Sequence, residues 1–114
     1  TRLSRIVAAL DERFPGRVSA GSNDPSGMDL VANVTPCGMR EGDPFPADPA
    51  KMTATTFVAD AITRPEVSPM VAAARALGCS TMTGAGMFNA EAERLVDYLL
   101  GEGLPSDPAQ EEAA

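Results

Sequence analysis

The apolar positions change period along the chain, and each change marks an element. Leu3, Ile6, Val7, Leu10 and Phe14 recur three or four apart, with charged residues opposite them. That spacing predicts a helix over Thr1–Phe14 with one apolar face. Pro15-Gly16 stops it. Arg17–Ala20 fits a short strand, and Gly21–Gly27, rich in Gly, Ser, Asn, Asp and Pro, reads as a loop.

Asp29–Thr35 (DLVANVT) then predicts a strand buried on both faces, with Leu30, Val31 and Val34 supplying the bulk. Pro36 ends it, because proline has no N–H for the ladder. Arg40–Ala50 carries Pro44, Pro46 and Pro49 with Gly42 and reads as a long surface connection. Thr55–Ile62 is the next strand. Ser68 fits a helix N-cap, Pro69 the first helical position and Gly78 the stop, with Met70, Ala73, Ala74 and Leu77 as the buried stripe. Cys79–Thr83 predicts a short strand. A helix follows from about Gly86 to Leu100, with Met87, Leu95, Tyr98 and Leu99 as its core face. Gly101-Glu102-Gly103 ends it, and the acidic tail reads as disordered.

Strands alternating with helices argue for parallel strands joined by helical crossovers, since a tight hairpin cannot join parallel strands. The strands near Leu30, Val58 and Thr81 are predicted to be neighbours in that order, and a strand near Val18 not to pair with the one near Leu30. Ligands of open α/β sheets bind beyond the carboxyl ends of the strands. Thr63-Arg64-Pro65 and Gly84-Ala85-Gly86-Met87 lie there, so chemistry is expected to face those two loops.

The chain has 114 residues, 44% of them apolar, which suits at most one domain. A net charge of −7 argues against nucleic acid and anionic membrane surfaces. No apolar run approaches the ~20 residues that span a bilayer, and an acidic cytoplasmic protein is the expectation. Cys37 and Cys79 lack metal spacing and there is no histidine, so free thiols are expected rather than a zinc site or disulfide. The chain opens at Thr1 inside a predicted helix, without methionine, and reads as a piece of a longer polypeptide.

Three ordered blocks carry a resemblance. Asn33-Val34-Thr35-Pro36-Cys37-Gly38-Met39 resembles the N-A-T-P-x-G-M stretch of the shikimate/quinate dehydrogenase family. Asp60 to Pro69 (DAITRPEVSP) resembles its D-x-x-Y-x-P-x-x-T-P, and Gly84-Ala85-Gly86-Met87 its G-x-G-M. Together they cover about residues 28 to 100. The resemblance implies an α/β fold: a partial Rossmann-like, doubly wound parallel sheet lacking its first two strands. Residues 1–101 would be the C-terminal part of a dinucleotide-binding domain and 102–114 a tail. It further implies an NAD- or NADP-dependent oxidoreductase of aromatic amino acid biosynthesis, acting on a ring hydroxyl of a cyclic polyol carboxylate.

On this reading Asn33, Thr35, Pro36, Ala61, Gly84 and Met87 line the cofactor, and Thr63 and Glu91 face the substrate. No catalytic residue and no metal ligand is expected. The family's catalytic lysine and aspartate belong to a substrate domain that precedes this region, and Lys51, the only lysine, does not match that position. The partners are then a small-molecule substrate and the missing N-terminal part of the same polypeptide. Thr63 stands where the family usually has tyrosine, and Ser68 where it has threonine. Glu91 replaces a substrate-contacting glutamine. An unpaired acid there repels a substrate carboxylate, which argues for a substrate other than shikimate. Asp60, at the end of an apolar strand, either orients the loop Thr63–Val67 or takes part in chemistry. Gly84-Ala85-Gly86-x-x-Asn89 is not the pyrophosphate fingerprint, because Asn89 stands where Gly or Ala allows close helix packing. Arg2 is either a contact for a 2′-phosphate or a solvated helix-end arginine. The alternative function is a non-catalytic module that binds a cofactor or a protein partner.

Overall fold

The structure, a computed structural model, describes residues 1–101. Its elements are α1 (Arg2–Arg13), β1 (Leu30–Asn33), a 3-10 turn (Pro49–Lys51), β2 (Phe57–Asp60), α2 (Pro69–Ala76), β3 (Ser80–Met82) and α3 (Gly84–Leu100). The strands form one parallel sheet in the order β1-β2-β3, as the alternation predicts. Val31, Val58 and Thr81 share one register row, and Asn33 lies beside Asp60.

The row Val31–Val58–Thr81 faces α2, which packs on β2 and β3. The core there consists of Val58, Met70, Ala74, Met52, Ala47 and Cys79, with Val31 packed against it. The local chemistry explains why α2 sits where it does. The Ser68 hydroxyl accepts the N–H of Val71, Pro69 takes the first helical position, and Leu77 caps the end. Gly78 follows at φ +86, a conformation that side chains resist. Arg75 reaches back to the Thr81 hydroxyl at 3.0 Å, tying the last turn of α2 to β3.

The structure corrects several expectations. Arg17–Ala20 is not a strand, because a strand needs a partner for its backbone and none of the described strands pairs with it. β1 is not buried on both faces: Leu30 is 59% exposed, and Val34 just beyond it 82%. In α2 the buried residues are Met70, Val71 and Ala74, while Leu77 has passed the last turn and is exposed. The face of α1 is uncovered, with Leu3, Ile6, Leu10 and Phe14 all exposed. The expected core face of α3 is also open, since Leu95, Tyr98 and Leu99 are exposed and Gly84 is its only buried residue. Periodicity reports that a helix has an apolar face but not what lies against it. The expected tail, 102–114, lies outside the described residues.

Candidate functional site

Parallel pairing puts the carboxyl ends of all three strands on one edge of the sheet, and three loops leave it side by side. Thr35–Gly38 follows β1, Ala61–Val67 follows β2, and Thr83–Met87 opens α3. Ala61 N–H donates to the Asn33 carbonyl at 2.9 Å, which joins the first two loops at their roots. The third is joined by contact. A Cβ at Gly84 would stand 2.2 Å from the Ile62 carbonyl oxygen and 2.5 Å from that of Ala61. Only glycine lets α3 start this close to the end of β2.

Beneath the loops lies a buried polar cluster. Asp60 is 1% exposed and its carboxylate receives three donors. Asn33 Nδ2 and the Ile62 N–H reach Oδ1 at 3.1 and 3.0 Å, and the Ser68 hydroxyl reaches Oδ2 at 2.6 Å. Asn33 is equally committed. Its amide also donates to the Cys37 carbonyl at 3.2 Å, and its Oδ1 accepts the Thr35 N–H and hydroxyl at 2.9 and 2.6 Å. The Thr35 hydroxyl in turn accepts the Cys37 N–H. A carboxylate so buried is tolerable only with such donors, and no buried side-chain polar atom among the described residues lacks a partner. Of the two alternatives open for Asp60, the geometry selects loop orientation.

The residues read as cofactor- or substrate-facing therefore divide. Thr35, Pro36, Ala61 and Thr63 are exposed on the edge, Met87 is half-buried and Gly84 is buried. Asn33 is buried with its polar atoms engaged, so it acts by holding its neighbours. Glu91 is exposed, about 12 Å along α3 from Thr83 at 1.5 Å per residue. It stands out from an apolar face that is itself uncovered. Sequence reasoning saw Ser68 only as a cap and missed it as the donor to Asp60. The signal available was an Asp closing an apolar strand eight residues ahead of a capping serine. The Asp43 carboxylate was missed as well. It accepts the N–H groups of Gly38 and Arg40, both at 3.0 Å. Those two backbone bonds hold its pKa below the ordinary carboxylate value.

Thr83 caps α3, its hydroxyl accepting the Gly86 N–H at 3.2 Å. The helix consequently starts at Gly84, two residues before the expected point. Both glycines lie in the first helical turn, with negative φ, and form no looped phosphate cradle. The edge carries small side chains at Thr35, Pro36, Ala61 and Thr63; Arg64 is exposed on the second loop, and Arg40 lines a hollow with Pro36 and Cys37 beside the first. No group of three metal-ligating side chains occurs among the described residues. A cavity of about 550 Å³ lies elsewhere, between Ser19–Ser26 and the open edge of β1. It runs along β1 from Leu30 and meets the carboxyl edge only at Asn33, whose polar atoms are already engaged.

Comparison with known proteins agrees with the fold. No family model matches the chain. The chain is 34% identical over 94 residues to a shikimate dehydrogenase (NADP(+)) of Streptomyces avermitilis, covering 75% of this chain and 32% of that protein. It therefore spans about a third of the length of the curated relatives it matches. Among solved structures, a ligand-free 5-ketofructose reductase of a Gluconobacter strain superposes with a TM-score of 0.73 at 30% identity. That match covers 90% of this chain and 39% of the reductase. A quinate dehydrogenase from Corynebacterium glutamicum in complex with NAD gives 0.62 at 27% identity, over 75% of this chain and 32% of its own. No helix of the described residues is long and apolar enough to cross a membrane. In sequence and in fold, this chain is a relative of the shikimate/quinate dehydrogenase family, matching a part of the length of its members.

Proposed function

We propose that this chain supplies the nicotinamide-facing wall of an NAD- or NADP-dependent oxidoreductase. The observation that carries the reading is the carboxyl edge itself: three loops held together at their roots, with small side chains and open backbone facing outward. Thr35, Pro36 and Ala61 would pack against the nicotinamide ring, and Gly84 and Met87 would close its far side. When bound, the cofactor accepts or delivers hydride at that ring. The chain's own part is to fix the ring's place and to shield one side from water.

The substrate is a small polyol or a cyclic hydroxy acid, with Thr63 and Glu91 as the residues of this chain that meet it. The names of the relatives, shikimate, quinate and 5-ketofructose, support that class. We assign residues 1–101 to the cofactor domain. The acid–base pair that hydride transfer to or from an alcohol requires comes from outside this region. Asp60 cannot serve, since its oxygens are already committed.

The test is turnover. The 114-residue chain alone, given NAD+ or NADP+ with shikimate or quinate, should form no reduced cofactor. A longer polypeptide that carries the chain, tested with the same pairs and with 5-ketofructose plus reduced cofactor, should turn over at least one. Turnover by the short chain would overturn the division of labour. Failure of the longer protein to bind either cofactor would favour the non-catalytic module.

A further inference from the structure

We propose that Asp60 is a positioning residue that couples α2 to the loops after β1 and β2, so that these two loops of the ligand edge move with the helix as one body. The inference rests on the reading of that edge as a nicotinamide wall. The path is continuous, and it is buried from Val71 to Asn33. Val71 N–H donates to the Ser68 hydroxyl at 3.3 Å, and that hydroxyl donates to Asp60 Oδ2 at 2.6 Å. Asp60 Oδ1 accepts from Asn33, whose Oδ1 holds Thr35, whose hydroxyl holds Cys37. Five successive hydrogen bonds thus run from the first turn of α2, past the ends of β2 and β1, to the loop carrying Thr35 and Pro36. The Ile62 N–H, on the same carboxylate, adds the second loop.

The chemistry of a carboxylate explains why the node is aspartate. All three neighbours donate, and only an ionised carboxyl offers acceptors alone on both oxygens. An asparagine keeps the bonds from Asn33 and Ile62 to its oxygen but turns an NH₂ toward Ser68. The serine hydroxyl can then accept, although it already accepts from Val71. Asp60→Asn is therefore the conservative variant, and Asp60→Ala cuts every branch. Ser68→Ala cuts only the α2 branch. None of the three side chains reaches the exposed edge, since Asp60 and Ser68 are 1% exposed and Asn33 3%. Any effect on a ligand there passes through Thr35–Cys37 or Ala61–Thr63.

The experiment measures amide hydrogen exchange and the affinity for nicotinamide mononucleotide in the wild type, Ser68→Ala, Asp60→Asn and Met52→Ala. Met52 is a core residue away from the path and serves as the stability control. Ser68→Ala should speed exchange at Thr35 and Cys37, two elements away, and weaken nucleotide binding about tenfold. Asp60→Asn should retain most of the binding, and Met52→Ala should leave it within about twofold even where it lowers the melting temperature as much. Exchange changes confined to Val71 and the first turn of α2 would overturn the coupling. So would equal loss of binding in the Met52 control. If the wild type binds no nucleotide, the reading of the edge fails, and the exchange at Thr35 still decides the coupling.

Discussion

At the scale of single residues, the edge is held by acceptors more than by apolar contacts. Asp43 gathers the N–H groups of Gly38 and Arg40 and so shapes the loop that follows Thr35 and Pro36. Its folded pKa is depressed. The carboxylate's contribution to stability is therefore present above the unfolded pKa and is lost as pH falls through the folded one. Below roughly pH 4, the protection of the Gly38 and Arg40 amides, relative to their intrinsic exchange at that pH, should fall ahead of the rest of the chain. In Asp43→Ala it should already be low at neutral pH. If both amides stay protected in acid, the loop is held by something else. Glu91 is exposed on α3. In the longer protein Glu91→Gln should raise kcat/KM for shikimate or quinate about tenfold. Unchanged kinetics with every substrate would make it a solvated helix residue, as its exposure here allows.

At the scale of elements, legibility followed locality. Ser68-Pro69 and Gly78 marked α2 correctly, because caps and stops are made by neighbours in sequence. The short runs around Val31, Val58 and Thr81 marked the strands, and their alternation with helix signals gave the parallel order. Arg17–Ala20 failed because pairing is not a local property. The faces of α1 and α3 failed as core for the same reason. The start of α3 was placed two residues late because glycine is a poor helix former, and the Thr83 cap outweighed that preference. Gly84 itself answers to packing. Gly84→Ala forces a methyl into the Ile62 carbonyl at 2.2 Å, and overpacking of this kind costs about 1–3 kcal/mol. Chemical denaturation should show a loss of that size, or α3 should shift away from the Ala61–Ile62 segment. A variant as stable as the wild type, with α3 unmoved, would mean that the contact is looser than described.

At the scale of the whole molecule, the chain keeps much apolar surface open. Its Cα radius of gyration is 17.0 Å, against about 13 Å for a compact chain of a hundred residues. The excess reflects α1 and α3, which lie off the sheet with their apolar faces uncovered. Two surfaces therefore compete as the ligand face: the carboxyl edge, and the cavity of about 550 Å³ along β1. The account rests on the first. The direct measurement is a chemical-shift map of the isotope-labelled chain titrated with nicotinamide mononucleotide, which carries the ring without the adenosine half. Shifts should concentrate at Thr35, Ala61, Thr63, Gly84 and Met87 and saturate together. Shifts confined to Ser19–Ser26 and Leu30, or none at saturating nucleotide, would contradict the account.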